Sequence, residues 1–319
     1  DRFRLEFCEE NIEESDYDTW KKAWGLSPFI YSPIDAEVFE AAPGVEIVST
    51  RSTGFDHIDL DAAQEHSVAV CNVPSYGDNT VAEHAFGLIL SVTRNIHRAY
   101  IKVNNRDFSL DGLEGIDIEG RTLGVIGTGR IGLHTIKIAR GFGMKVLAHD
   151  IKEEPILAEV LGFRYVEMDE LLAESDIVSL HVPLNKHTRH LIDAETLGKM
   201  KKGAILINTA RGGLVDTEAL IDALDSGQLG GAGLDVLEGE SLLREEKQIL
   251  HSGDAPREQL QTLLRDNILI GRPDVVVTPH IAFFSREAQI RILDTTIQNL
   301  VSFFEGEPVN LVAGGAGEE

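Results

Sequence analysis

Arg211, Glu240 and His280 are the residues of this 319-residue chain whose types suit a common chemistry. A guanidinium group can form two parallel hydrogen bonds with the carboxylate of a small substrate and so orient it. A histidine can donate or accept a proton at the group that reacts, and a carboxylate beside it holds the ring. The three residues therefore predict acid–base chemistry on a small carboxylic acid, with Glu240 as the partner of His280.

A glycine-rich segment predicts the cofactor of this chemistry. Gly127, Gly129 and Gly132 follow a β-prone run and precede apolar residues at helical spacing. In a strand–turn–helix unit, glycines at this spacing allow a tight turn and close approach of the backbone to a pyrophosphate. Asp150 ends the next predicted strand, where a carboxylate accepts hydrogen bonds from a ribose diol and repels a 2′-phosphate. The segment predicts an NAD site, although the nearby cation Lys152 could tolerate NADP.

Predicted strands and helices alternate from residue 122 onward, which favours a parallel sheet with helices on both faces. The strands are predicted at 122–127, 145–149, 163–166, 176–182, 204–209, 231–236 and 275–279. Ligands of such sheets bind outside the carboxyl ends of the strands. The residues at those ends are Gly127, Asp150, His181, Val182, Pro183, Thr209, Ala210, Arg211, Asp235 and His280. One sheet edge is thus predicted to carry a cofactor turn, a cation, acids and a histidine, which together suit reduction of a 2-keto acid.

The segment before this sheet predicts a smaller α/β domain. Its strands are predicted at 29–31, 46–49 and 68–71, with helices at 35–41 and 60–66. One long helix from Asn79 to about Lys102, apolar along one stripe, is predicted to connect the two domains. The predicted domains are a substrate domain of residues 1–95 and 286–319 and an NAD-binding domain of residues 96–285. Residues 238–272 are predicted to be an insertion, 285–306 a final helix, and the tail from 313 disordered.

Composition argues against several classes of partner. The 53 acidic and 29 basic residues give a net charge of −24, which repels nucleic acid and anionic membranes. Two cysteines are too few for a disulfide framework and suit a reducing compartment. No apolar run has the length of a membrane span, and neither a signal peptide nor a metal site is predicted. The composition therefore predicts a cytoplasmic protein without a nucleic-acid or membrane partner.

The chain resembles the D-2-hydroxyacid dehydrogenase family from about residue 29 to residue 311. The resemblance rests on the glycine turn and on segments 51–59, 79–84, 208–212, 233–240 and 278–282. It implies a Rossmann NAD-binding domain inserted into a flavodoxin-like α/β substrate domain. It also implies a homodimer with the helix after Asn79 at its interface. The substrate is expected in the cleft between the two domains, whose closure excludes water.

The resemblance also implies roles for single residues. Arg211 would orient the substrate, and Glu240 would be the partner of the catalytic His280. Thr53 and Gly54 would contact the substrate carboxylate from a turn after a strand. Asp235 would lie near the nicotinamide carboxamide. The implied cofactor contacts are Val81, Gly127, Thr128, Gly129, Arg130, Ile131, Gly132, Asp150, His181, Val182, Pro183, Thr188, Thr209, Ala210, Asp235 and His280.

Two aromatic residues indicate the substrate. Tyr76 lies in the loop after a predicted strand, and Phe284 follows His280 closely. The D-lactate branch of the family carries aromatic residues at corresponding places, so the resemblance is greatest to that branch and implies pyruvate as the substrate. Hydroxypyruvate, glyoxylate and larger keto acids remain alternatives. An alternative of another class is an NAD(H)-sensing binding protein similar to the corepressors built on this fold.

Overall fold

The computed structural model describes residues 4–8, 12, 20–244 and 256–313. The chain divides into two compact units, Asp1–Tyr76 with Phe284–Glu319, and Gly77–Phe283. The predicted disordered tail beyond residue 313 and residues 245–255 of the predicted insertion lie outside the described residues. Within the described part of the chain, no helix combines the length and the apolar character needed to cross a membrane.

The first unit is built on a four-stranded sheet. Its elements are β1 (Gly25–Leu26), α1 (Ala36–Ala41), β2 (Ile47–Ser49), α2 (Leu60–Glu65), β3 (Ala69–Cys71), α12 (Arg286–Phe304) and β11 (Leu311–Ala313). The strand order is β1-β2-β3-β11, in which the first three strands are parallel and β11 is antiparallel to β3. Asp35 and Asp59 begin α1 and α2, because each side chain accepts a backbone N–H of the first turn.

The predicted strand at residues 29–31 is wrong. The strand at this edge is Gly25–Leu26, which pairs with Ile47 and Val48 of β2. Pro28, which has no N–H to donate, follows this strand. Phe29 then begins a turn in which its carbonyl oxygen accepts the N–H of Ser32 at 3.0 Å.

The second unit is built on a seven-stranded sheet. Its first elements are α3 (Asp78–Thr93), α4 (Ile96–Asn104), β4 (Thr122–Ile126), α5 (Arg130–Gly141), β5 (Lys145–His149), α6 (Pro155–Leu161), β6 (Arg164–Tyr165), α7 (Met168–Glu174) and β7 (Ile177–Leu180). They are followed by α8 (Ala194–Lys199), β8 (Ala204–Asn208), a 3₁₀ turn (Gly212–Leu214), α9 (Thr217–Asp225), β9 (Leu229–Leu234), α10 (Glu240–Arg244), α11 (Arg257–Gly271) and β10 (Val275–Val277).

All strand pairs of this sheet are parallel, in the order β10-β9-β8-β7-β4-β5-β6. The chain order reverses between β4 and β7, and dinucleotides bind at such a switch point in open α/β sheets. One apolar cluster packs α7, α8 and α9 against the sheet, and another packs α3 and α5 against it. The predicted doubly wound α/β fold is therefore confirmed.

The long helix predicted at 79–102 is two helices. Asn95 breaks it with a φ of 52°, in the left-handed region that asparagine tolerates better than most residues. The helix before the break, α3, packs closely against β9: a Cβ placed on Gly233 would lie 2.9 Å from the Cβ of Leu88. The first compact unit includes residues up to Tyr76, and the second begins at Gly77 with α3.

Candidate active site

The turn between β4 and α5 has the geometry that its glycines predict. Gly127 has a φ of +98°, which favours glycine, and a Cβ there would lie 2.5 Å from the carbonyl oxygen of His181. A Cβ on Gly132 would lie 2.0 Å from the carbonyl oxygen of Gly127. Because neither glycine has a side chain, the first turn of α5 and the residue after β7 can both pack closely against the end of β4.

The space above this turn fits a pyrophosphate. Apart from Gly129 and its two chain neighbours, no heavy atom of the described residues comes within 4 Å of the place where a Cβ on Gly129 would lie. Gly129 is also the N-cap of α5, and no side chain caps the helix. The N–H groups of the first turn and the positive end of the helix dipole therefore face a position that suits an anion. The predicted turn residues Thr128, Arg130 and Ile131 lie here.

Asp150 ends β5 beside this turn. Its Oδ2 accepts the N–H of Thr128 at 2.6 Å and the hydroxyl of Thr128 at 3.1 Å, and its Oδ1 accepts the N–H of Lys152 at 3.0 Å. Burial opposes ionisation of the carboxyl group, but the hydrogen bonds from Lys152 and Thr128 outweigh it and lower the pKa of Asp150. Lys152 pairs with Glu154 at 2.9 Å. A fixed negative charge here, with its neighbouring cation paired, favours NAD over NADP.

Most of the other predicted cofactor residues lie at neighbouring strand ends. Val182 and Pro183 follow β7, Thr209 and Ala210 follow β8, and Val81 is buried in α3. Burial lowers the pKa of His181 to about 4, so this ring is neutral and shares a hydrogen bond of 2.9 Å with Ser179. The hydroxyl of Thr188 donates to the carbonyl oxygen of Pro183 at 2.6 Å. The cofactor contacts of these residues stay predictions.

Asp235 holds the loop that carries His280. Its buried carboxylate accepts the hydroxyl of Thr278, the N–H of Ile281 at 3.0 Å and the N–H of Ala282 at 2.8 Å. Nε2 of His84 lies 3.4 Å from Oδ1 of the same carboxylate. Oδ1 therefore has three contacts within the chain, whereas Oδ2 accepts one N–H, that of Ala282. Each carboxylate oxygen has about two acceptor positions, so the predicted contact of Asp235 with the nicotinamide, which stays a prediction, would use Oδ2.

His280 and Glu240 form the predicted pair. Nδ1 of His280 lies 2.7 Å from Oε1 of Glu240, and the backbone N–H of His280 donates to the carbonyl oxygen of Asp235 at 2.8 Å. His280 has a φ of +53°, so the ring leaves the chain from a left-handed backbone position after β10. Because Nδ1 faces the carboxylate, Nε2 is the nitrogen that can exchange a proton with a substrate.

Arg211 lies after β8, one strand from the loop of Asp235. The side chain of Asn208 fixes its backbone, donating to the carbonyl oxygen of Arg211 at 2.8 Å and accepting the N–H of Ala210 at 3.0 Å. One guanidinium nitrogen donates to the carbonyl oxygen of Ala210 at 2.8 Å. The carboxyl edge of one sheet therefore carries Arg211, the His280–Glu240 pair and the glycine turn.

The first unit holds the other predicted substrate residues. The Thr53–Gly54 turn follows β2: the hydroxyl of Thr53 donates to the carbonyl oxygen of Val73 at 2.8 Å, and Ser52 donates to that of Gly54 at 2.6 Å. The carbonyl oxygen of Tyr76 accepts Nε of Arg291 at 2.6 Å. The Phe284 side chain is 63% exposed. The substrate contacts of these four residues stay predictions.

Two residues beside this site were not predicted from the sequence. His84 contacts both Thr278, at 3.0 Å, and Asp235. Asp266 accepts the N–H of the residue directly before Glu240. A single histidine or aspartate on an amphipathic helix carries no sequence pattern, and both partners lie far away along the chain. The available sequence signal was indirect: Asp235, which His84 contacts, lies at a predicted strand end.

Residues 86–282 match the family model of the D-isomer specific 2-hydroxyacid dehydrogenase, NAD binding domain. The chain is 42% identical over 289 residues to a 2-hydroxyacid dehydrogenase homolog of Schizosaccharomyces pombe, covering 89% of this chain and 83% of the relative. It is 36% identical over 287 residues to a hydroxypyruvate reductase of Blautia hydrogenotrophica, covering 88% and 82%.

A solved structure is similar over most of the chain. The crystal structure of D-lactate dehydrogenase from Aquifex aeolicus, complexed with NAD and lactic acid, has a TM-score of 0.86 and 38% identity, covering 96% of this chain and 91% of that one. The family model matches the unit that carries the glycine turn and the His280–Glu240 pair. The chain therefore belongs to the D-2-hydroxyacid dehydrogenase family, and it is an NAD-dependent oxidoreductase.

Proposed function

We propose that this enzyme reduces pyruvate, or a similarly small 2-keto acid, to the D-2-hydroxy acid. The observation that carries the chemistry is the 2.7 Å contact between His280 and Glu240 at the same sheet edge as Arg211 and the glycine turn. Tyr76 and Phe284 support a small substrate, because the D-lactate branch that the chain resembles carries aromatic residues at corresponding places. The similar Aquifex enzyme, solved with lactic acid, supports the same choice.

In this proposal, the site residues have separate roles. Arg211 binds the substrate carboxylate through two parallel N–H donors and holds the keto group in a fixed orientation. The Thr53–Gly54 turn supplies backbone N–H groups to the same carboxylate. The glycine turn and Asp150 would hold NADH, which would supply the hydride. Protonated His280 donates the proton from Nε2 to the oxygen that becomes the hydroxyl, and Glu240 stabilises the imidazolium through Nδ1.

The proposal is tested by the rate of NADH oxidation with pyruvate, hydroxypyruvate, glyoxylate and phenylpyruvate. We expect the highest kcat/KM with pyruvate, and NADH to be preferred over NADPH by about tenfold or more, which is roughly 1.4 kcal/mol. In the reverse direction, D-lactate and not L-lactate should reduce NAD. A higher kcat/KM with hydroxypyruvate, the alternative that the Blautia relative supports, would contradict the choice of pyruvate.

Two further results would contradict other parts of the proposal. Equal use of NADPH and NADH would contradict the role of Asp150, because its charge should repel a 2′-phosphate. Tight binding of NADH without turnover of any keto acid would favour the NAD(H)-sensing alternative over catalysis.

We also infer that two copies of the chain associate through a surface on α4 and the loop after it. None of the residues of α4 is buried. Ile96, Tyr100 and Ile101 are 51%, 69% and 56% exposed, and Phe108 and Leu110 on the loop are 77% and 83% exposed. Large apolar side chains that are exposed together on one short segment of chain are typical of a protein–protein interface.

Light scattering should therefore give twice the 35.0 kDa of one chain. The double substitution Tyr100→Glu and Ile101→Glu should lower the measured mass to that of one chain, because the two introduced charges cannot be buried in an interface without partners. The substitution Ile156→Glu, at an exposed residue of α6, is the matched control and should leave the mass unchanged. A wild-type mass of one chain would contradict the inference.

A further inference from the structure

Asp266 is a carboxyl group that the proposed reaction does not use. It lies on α11 and is fully buried, and its Oδ2 accepts the backbone N–H of Gly239 at 2.9 Å. Among the described residues, its other oxygen, Oδ1, has no hydrogen-bond partner. A buried carboxyl group with an unsatisfied oxygen costs folding free energy. Its presence at this place therefore calls for an explanation.

Gly239 directly precedes Glu240, and its contact with Asp266 is tight. A Cβ on Gly239 would lie 2.6 Å from Oδ2 of Asp266 and 2.6 Å from Cγ2 of Thr262. The carbonyl oxygen of Gly239 accepts the N–H of Leu243 at 3.1 Å. Because both backbone groups of Gly239 are held, the direction in which the Glu240 side chain leaves the chain is fixed.

The residue on the other side of Gly239 is held as well. Oε1 of Glu238 lies 2.7 Å from Nε2 of His190 and accepts the guanidinium of Arg189 at 3.2 Å. Oε2 of Glu238 accepts the hydroxyl of Thr217 at 3.2 Å. Residues 238, 239 and 240 are therefore each held by a different part of the second unit, and Asp266 holds the central one.

We propose that Asp266 is a positioning residue of the reaction: it fixes the backbone at Gly239, and its negative charge favours the protonated form of His280 through Glu240. This inference rests on the proposed function, in which His280 donates a proton. Asp266 does not touch the substrate in this scheme. It acts only through the 2.7 Å contact between Glu240 and His280.

The charge of Asp266 changes within the working range of a histidine. Burial raises the pKa of Asp266 to about 6, the hydrogen bond from Gly239 opposes this, and the charges of Glu238 and Glu240 add to it. On α9, which packs against the same helix, Glu218 and Asp225 face α11 and form ion pairs with Arg265 and Arg272. α10, which carries Glu240, and β10, which consists of valines, also pack against α11. Asp266 is therefore neutral at pH 5 and adds one negative charge beside Glu240 at pH 8.

The variant Asp266→Asn tests this assignment, because asparagine has the shape of the neutral carboxyl group and can still accept the N–H of Gly239. The measured quantity is the ratio of wild-type to variant kcat for keto-acid reduction at pH 5 and pH 8. We expect a ratio of about one at pH 5 and roughly three- to tenfold at pH 8, as for one partly screened charge near the pair. A purely structural role would give the same ratio at both pH values, and that result would overturn the proposal.

Thermal unfolding of the same proteins provides a measurement that does not need turnover. Because the folded-state pKa of Asp266 is raised, its carboxyl group lowers the stability of the wild type as the pH rises through about 4 to 6, and the asparagine of the variant makes no such contribution. The melting temperature of the variant relative to the wild type should therefore rise by a few degrees between pH 5 and pH 8. A constant difference would overturn the assigned charge and with it the proposal.

Asp222→Asn is the matched control, since Asp222 is exposed on α9. It should leave both the activity ratio and the unfolding difference independent of pH. A wild type that reduces none of the keto acids would contradict the proposed function, whereas an active wild type with a constant ratio would contradict only the role of Asp266.

Discussion

Replacement of His280 by alanine is expected to lower kcat for keto-acid reduction by about 10²- to 10⁴-fold, the usual contribution of a general acid. Without the imidazole, no group at this position donates the proton to the nascent hydroxyl. The nucleotide site is built around the glycine turn and Asp150, at other strand ends of the sheet. The Kd for NADH, measured by fluorescence, should therefore stay within about twofold of the wild type.

Two further variants test whether the loss of kcat is specific to the His280–Glu240 pair. Glu240→Gln keeps a side chain of the same shape at 2.7 Å from Nδ1 but removes the charge, so its loss of kcat should lie between those of the wild type and His280→Ala. His134→Ala removes a partly buried histidine from α5 and should leave kcat unchanged. If His280→Ala retains more than about a tenth of the wild-type kcat, another group supplies the proton.

The fold of the second unit could be predicted because its sequence signals are local. The Gly127–Gly132 turn specifies a strand, a sharp turn and a helix within a dozen residues, and its glycines are required by contacts within the same unit. Parallel strands that alternate with helices have few possible arrangements, so the strand ends could be placed at one edge. The contact between His280 and Glu240, 40 positions apart along the chain, follows from that shared edge.

The features that the sequence did not predict depend on distant partners. The two residues of β1 are a strand only because β2 lies beside them, and the apolar stripe of 79–102 gives no sign that Asn95 adopts a left-handed backbone. Asp266 lies 27 positions from Gly239 in the chain. Nothing near it in sequence distinguishes it from a solvated helix residue. Its role becomes visible only when burial and the hydrogen bond are seen together.

Replacement of Arg211 by lysine should lower kcat/KM for pyruvate by about 10- to 150-fold. Lysine keeps the positive charge but offers a point charge in place of a planar fork, so one of the two parallel hydrogen bonds to the carboxylate is lost. A hydrogen bond to a charged group contributes about 1.5–3 kcal/mol, which corresponds to that range of rates. The Kd for NADH should not change, because the guanidinium belongs to the substrate side of this scheme.

A substrate without a carboxylate separates this role from a general loss of activity. The wild type should prefer pyruvate strongly over diacetyl, in which a second acetyl group replaces the carboxylate, and Arg211→Lys should reduce that preference by lowering only the rate with pyruvate. Arg164→Lys, a lysine substitution at an arginine that is 60% exposed on β6 and paired with Glu170, should change neither rate. Equal losses with pyruvate and diacetyl would mean that Arg211 supports the fold of the site and does not bind the carboxylate. An unchanged kcat/KM for pyruvate would mean that the acid is held by other groups, of which the Thr53–Gly54 turn is the first to test.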